Sequence, residues 1–189
     1  MLMGMKPLGG SVWIVLLLML AMAKPVHASS PSAILTPIQS SVLSASSIQV
    51  KTLACLARGD IAGAIALYEA ETGYSPPTWL VELQTAYGVA NQVVGKCQQV
   101  ASTVHTAFTR LGQTPQYIAF KAKGDEDFMI FELMSGKQAS VARNGYHVAV
   151  RLGDMIYDAY TGPTGMKWAD YLSRLHAAQG VTSEVATHP

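Results

Sequence analysis

Three side chains in this sequence have the types and spacing to attack a carbonyl group: Cys97, His147 and Asp158. Cys97 opens a run in which Val100, Ala101, Val104, Phe108 and Leu111 recur on one helical face. Gly95 breaks the pattern before it, and Gly112 supplies a stop after it. A thiol in the first turn of a helix faces unpaired backbone N–H groups and the positive end of the helix dipole. Both favour the thiolate, the nucleophilic form of cysteine, and the same N–H groups can stabilise an oxyanion. The competing reading is structural, since Cys97 heads an apolar stripe and free cysteine is among the most buried residue types.

The base and its orienter come from Asn144 to Asp158, which alternates with the two-residue period of strands. Gly153-Asp154 fits a two-residue hairpin turn. That turn sets Leu152 against Met155, Arg151 against Ile156 and Ala149 against Asp158. His147 and Asp158 then fall on one face as diagonal neighbours, roughly 7–8 Å apart along the backbone. A slip of one residue would send them to opposite faces. Taken singly, His147 reads as a polar residue of a sheet, and Asp158 as a strand end before the Thr161-Gly162-Pro163 turn. Together on one face, downstream of a cysteine at a helix start, they read as a nucleophile's partners. His105, His176 and His188 have no such company.

The elements that must position these groups are helical first and extended later. Helix signals begin near Ile48 and pass Leu53, Leu56 and Ala57 to Arg58-Gly59-Asp60, where Gly59 stops one helix and Asp60 caps the next. That turn chemistry accounts for the Arg-Gly-Asp tripeptide better than an adhesion motif does. A second helix carries Ile61, Ala64, Ile65 and Tyr68 to Gly73. Pro76-Pro77 blocks helix before Thr78, which caps a run with Trp79, Leu80, Leu83, Tyr87 and Ala90. After the Cys97 helix, Tyr117–Phe120 and Phe128–Leu133 read as strands, with Gly124-Asp125-Glu126-Asp127 as a polar turn between them. Those acids lack the EF-hand spacing and read as a solvated turn. Ser135-Gly136 opens a loop that Asn144-Gly145 closes. Trp168, Tyr171, Leu172 and Leu175 give a last helix beginning near Thr164, and 180–189 reads as a loose tail.

With 189 residues, the chain is long enough for one well-cored domain and extra segments. Its 13 basic and 12 acidic residues leave a formal charge of +1, with no basic patch, so no nucleic-acid partner is expected. Two cysteines 42 positions apart make no zinc motif. Residues 1–28 read as a signal peptide. Lys6 is its basic start, Val12 to Ala23 its apolar core, and Val26-His27-Ala28 its small-x-small cleavage site. The apolar run is short for a membrane span, so the mature protein is expected to be secreted or periplasmic, with no membrane contact after cleavage near Ala28. In an oxidising compartment a Cys55–Cys97 disulfide is the chief structural rival to a reactive Cys97. The expected organisation is a signal peptide at 1–28, a Ser/Pro-rich linker at 29–47, helices at 48–84, the domain that carries the chemistry at 85–178, and a tail at 179–189.

Gly95-Lys96-Cys97, then Asn144-Gly145-Tyr146-His147-Val148-Ala149-Val150, then Ile156-Tyr157-Asp158 followed by Gly162-Pro163-Thr164-Gly165-Met166 resemble the papain-fold toxin domains of bacterial polymorphic toxin systems. The resemblance spans about Thr85 to Ala177. It implies an α+β, papain-like fold, with helices that carry the nucleophile at a helix start packed on an antiparallel sheet. It implies a catalytic set of Cys97 as nucleophile, His147 as base and acid, and Asp158 as orienter. The Cys97 N–H would form part of an oxyanion hole, with Gln92 and Gln98 as candidate side-chain donors. No metal or organic cofactor is implied. Family members are described as peptidases or as deamidases of protein glutamine, so a protein or peptide substrate is expected. Related toxins usually sit behind long delivery modules; here a signal-like segment and a helical region precede the domain. The expectation is an exported effector, with an immunity protein as partner. The alternatives are a cell-wall peptidase or amidase of the same fold, and a non-catalytic domain stapled by Cys55–Cys97.

Overall fold

The computed structural model describes residues 37–189, and the signal segment and the first part of the linker lie outside them. Helix α1 runs Pro37–Ala57, α2 Ile61–Thr72, α3 Thr78–Ala86 and α4 Cys97–Arg110, with a single 3-10 turn at Val89–Asn91 between the last two. Helix α1 starts within the stretch expected to be linker. Proline is tolerated in the first turn, where its missing N–H bonds nothing anyway, and the Ser/Ala/Leu run beyond it holds no breaker. Asp60 caps α2 through Oδ1, which accepts the Gly63 N–H at 2.8 Å, and Gly73 ends it in the left-handed conformation. The Arg-Gly-Asp tripeptide is this interhelical turn, with Gly59 at φ 74°.

Beyond α4 the chain is extended. Strands β1 (Gln116–Ala122), β2 (Met129–Glu132), β3 (Gln138–Ala142), β4 (Tyr146–Leu152), β5 (Met155–Tyr157) and β6 (Met166–Lys167) precede α5 (Trp168–Arg174), β7 (Leu175–His176) and β8 (Val181–Ala186). They form a five-stranded sheet in the order β6-β5-β4-β1-β8 and a three-stranded sheet in the order β3-β2-β7, with antiparallel pairings throughout. The protein is α+β, with its helices packed on antiparallel sheet, as expected.

Alternation along β4 builds two cores on opposite faces of the larger sheet. Val148 and Val150 join Leu80, Leu83, Val100, Ala101, Val104 and Phe108 in a helical core. Ala149 joins Phe120, Phe131, Ile156, Tyr171 and Leu175 in a second core, between the two sheets and α5. The expected face of α4 is the buried one, and Ala107 adds to it.

Three expectations are corrected. The tail is not loose, because β8 pairs along β1 from Tyr117↔Ala186 to Ala122↔Val181. Four of its six residues are exposed, so main-chain hydrogen bonds do most of the holding and no apolar pattern marks it. The loop after Ser135 contains β3, a short edge strand whose register with β2 shifts at Met129/Ile130. The last helix starts at Trp168 rather than near Thr164, because Met166 and Lys167 are drawn into pairing with β5.

Candidate active site

The hairpin has the expected register, with Leu152 paired to Met155, Arg151 to Ile156 and Val150 to Tyr157 around Gly153 at φ 60°. Strand β5 stops at Tyr157, and the chain turns at once through Asp158. Local chemistry makes this turn. The Asp158 N–H donates to Thr161 Oγ1 at 3.0 Å, while Asp158 Oδ1 accepts the N–H groups of Tyr160 and Thr161, each at 2.8 Å. The side chain therefore cannot swing away from the sheet.

The other carboxylate oxygen, Oδ2, faces the His147 ring, with Nε2 at 3.1 Å. His147 is 0% exposed and Asp158 2%, so the pair sits in low dielectric. A third group completes it, the hydroxyl of Tyr171 on α5, which donates to Asp158 Oδ2 at 2.7 Å and lies 2.9 Å from His147 Nε2. With Nε2 between two oxygens, it is the nitrogen that carries the proton. His147 Nδ1 has no hydrogen-bond partner among the described residues. It is the nitrogen left for the thiol.

Cys97 begins α4 and is partly exposed. No side chain caps that end, since Lys96 occupies the cap position without such a bond. Burial pushes the thiol up. The neighbouring His147 imidazole, then the backbone N–H groups of Val148 and Gln98, outweigh burial and hold it below its ordinary value of 9.0. For His147, burial acts downward and is overcome by Asp158 and Cys97, which raise it from 6.5 to about 9. Asp158 is likewise pushed up by burial but held below the usual carboxylate range by His147, Tyr171 and Thr161. The thiol and imidazole thus each favour the charged form of the other. Nδ1 makes no hydrogen bond in this structure, so the thiol and imidazole act on each other as neighbouring groups.

A cleft of about 250 Å³ opens at Cys97, walled by Val94, Val141, Ala142 and Tyr146 and edged by Gln98, Arg143 and Asn144. Of the two candidate oxyanion donors, Gln98 is exposed beside this cleft. Gln92 instead donates its amide to the Ala159 carbonyl at 3.0 Å, bracing the residue after Asp158. Cys55 and Cys97 are both free thiols, and Cys55 is buried within the helical core with Arg58 on its sulfur at 3.5 Å. The disulfide expected as a rival is therefore absent between them. His105 stacks on Tyr117 with centroids 4.2 Å apart, and His176 lies in β7, so neither joins the site. In the sequence Tyr171 marks only the apolar face of the last helix. Its hydroxyl carried no separate signal, because aromatic spacing along a helix looks the same with or without it.

A cysteine at the head of a helix, beside a sheet whose strand carries histidine and whose following turn carries aspartate, agrees with the family comparison. Residues 83–176 match the family described as papain fold toxin 2. This stretch is a papain-fold toxin domain. The match begins within α3 and ends at β7, so it takes in Cys97, His147, Asp158 and Tyr171. No curated protein and no solved structure matches the chain.

Proposed function

We propose that this papain-fold toxin domain is a cysteine hydrolase of protein amides, with Cys97 as nucleophile, His147 as general base and acid, and Asp158 as orienter. The observation that carries the proposal is the 3.1 Å contact of His147 Nε2 with Asp158 Oδ2, which leaves Nδ1 for Cys97. In the first step Sγ attacks the amide carbonyl carbon and its proton resides on Nδ1. The tetrahedral oxyanion is met by uncapped N–H groups at the start of α4. Collapse breaks the C–N bond, Nδ1 protonates the departing nitrogen, and a thioester remains on Cys97. Water then attacks the thioester with Nδ1 as base, releasing a carboxylic acid and restoring the thiol. If the nitrogen belongs to a peptide bond the reaction is proteolysis. If it belongs to a glutamine side chain, the product is ammonia and the reaction is deamidation. None of these steps calls for a metal or cofactor.

The site's family and its apolar N-terminal segment support an exported effector that meets a protein target and is neutralised in its producer by an immunity protein. No helix among the described residues is long and apolar enough to cross a membrane. The test is incubation of the purified chain with denatured and native protein mixtures, reading new N-termini and released ammonia by mass spectrometry and a coupled assay. Either product, abolished in Cys97→Ala, supports the proposal. Neither product, with an unreactive Cys97, removes it.

A further inference from the structure

Among the groups around the reacting atoms, the Tyr171 hydroxyl is the one that the three-residue scheme does not use. Resting on the proposed His147 role, we infer that Tyr171 is a positioning residue, whose hydroxyl locks the imidazole by its Nε2 edge so that Nδ1 stays turned to Cys97. The hydrogen-bond count around Asp158 carries this. Oδ1 is occupied by two backbone N–H groups, so only Oδ2 remains for side chains. Two donors compete for it, and the phenol holds the shorter contact, 2.7 Å against 3.1 Å for the imidazole. With its proton committed to Oδ2, the phenol oxygen presents lone pairs to Nε2 at 2.9 Å. The Nε2 proton therefore lies between two acceptors. Flipping the ring would replace Nε2 with a carbon and lose both contacts, which one acceptor alone resists less.

The phenol is itself fixed. Tyr171 is fully buried, its ring 5.3 Å from that of Phe120 and 5.0 Å from that of Phe131. Both ends of α5 are held. The Trp168 N–H donates to the Asp154 carbonyl at 2.8 Å, and Arg174 reaches the Glu132 and Leu133 carbonyls at 3.3 Å each. Burial first, then the Asp158 charge, push the phenol well above its usual range, so it remains a neutral donor.

The experiment compares the full chain with Tyr171→Phe, which keeps the ring and removes one oxygen. Two readouts are taken: nitrogen NMR shifts of the His147 ring, and kcat and KM for amide hydrolysis. With spectra recorded above about pH 9, where the ring is neutral, positioning predicts that the two ring nitrogens of Tyr171→Phe move toward averaged tautomers. It also predicts that kcat falls about tenfold with KM unchanged, the cost expected of loosened alignment. A hydroxyl that merely fills the core would lower the melting temperature and leave the ring shifts and kcat of the folded protein intact, which overturns the inference. If Tyr171→Phe does not fold, 2,3-difluorotyrosine at 171 retains the hydroxyl with altered acidity. His147 shifts that follow that acidity support the role, and unmoved shifts overturn it. The NMR readout needs no substrate, so a wild-type chain without hydrolytic activity would undo the proposed function while still testing the role of Tyr171.

Discussion

Asp158 divides its carboxylate between two tasks, one oxygen closing its own turn and the other holding His147 at 3.1 Å. The turn bonds would survive replacement by asparagine, while the charge facing the imidazole would not. Asp158→Asn is expected to lower hydrolysis by about three to four orders of magnitude with little change in substrate affinity, as loss of the orienting charge does in triads generally. Steady-state kinetics on the folded variant measures this.

The same residue gives a stability signature. Its folded pKa is depressed, so its contribution is full above the unfolded value of about 3.9 and is lost as pH falls through the lower folded value. The gap in unfolding free energy between wild type and Asp158→Asn is expected to be roughly 3 kcal/mol near neutrality and to close below about pH 4. Urea titrations from pH 2.5 to 7 follow it. A gap that persists at low pH would mean that packing, rather than charge, is lost.

Cys97 lies below its ordinary thiol range and His147 is raised to about 9, so a thiolate–imidazolium pair spans the interval between them. Iodoacetamide is expected to label Cys97 rapidly well below pH 8.5, while Cys55, buried in the helical core, stays unlabelled in the folded state. Replacing His147 with alanine removes the downward pull and should return Cys97 to labelling only at alkaline pH. Peptide mapping after timed quenching distinguishes the two sulfurs.

Gly145 precedes β4 with φ 65°, and a Cβ there would meet the Glu126 carbonyl oxygen at 2.6 Å. Left-handed backbone and a clash against main chain act together, so Gly145→Ala should destabilise by about 2 kcal/mol or more. Because the strain enters two residues before His147, Cys97 labelling at neutral pH is expected to slow as well. Thermal melts and labelling on one preparation check both effects.

How much of this was legible beforehand depended on what each element is made of. Helix α4 and the β4–β5 hairpin announce themselves, one by an apolar stripe from Cys97 to Leu111 and the other by alternation around Gly153-Asp154. That register brings Asp158 alongside His147, but the expected Ala149–Asp158 pair does not form, and the turn bonds of Asp158 complete the placement. By contrast, β8 is held mainly through main-chain bonds with most of its side chains exposed, so no apolar pattern in Val181–Ala186 distinguishes it from a tail. Strand β3 was hidden by its bulge. Tyr171 was legible as a buried ring on α5 but not as a donor to Asp158. That contact depends on where a seven-residue helix docks between two sheets, a matter of tertiary packing.

The order of these parts along the chain has a consequence for synthesis. Translation delivers Cys97 first, the imidazole and carboxylate 50 and 61 residues later, and then the phenol at 171. Strand β8, which flanks β1 on the side away from β4, emerges after all four of these groups. A nascent chain therefore carries its thiol through 50 further residues with no imidazole to pair it, and longer still without a finished sheet beside it. The thiol thus meets its imidazole and carboxylate only after the hairpin that carries them has been made.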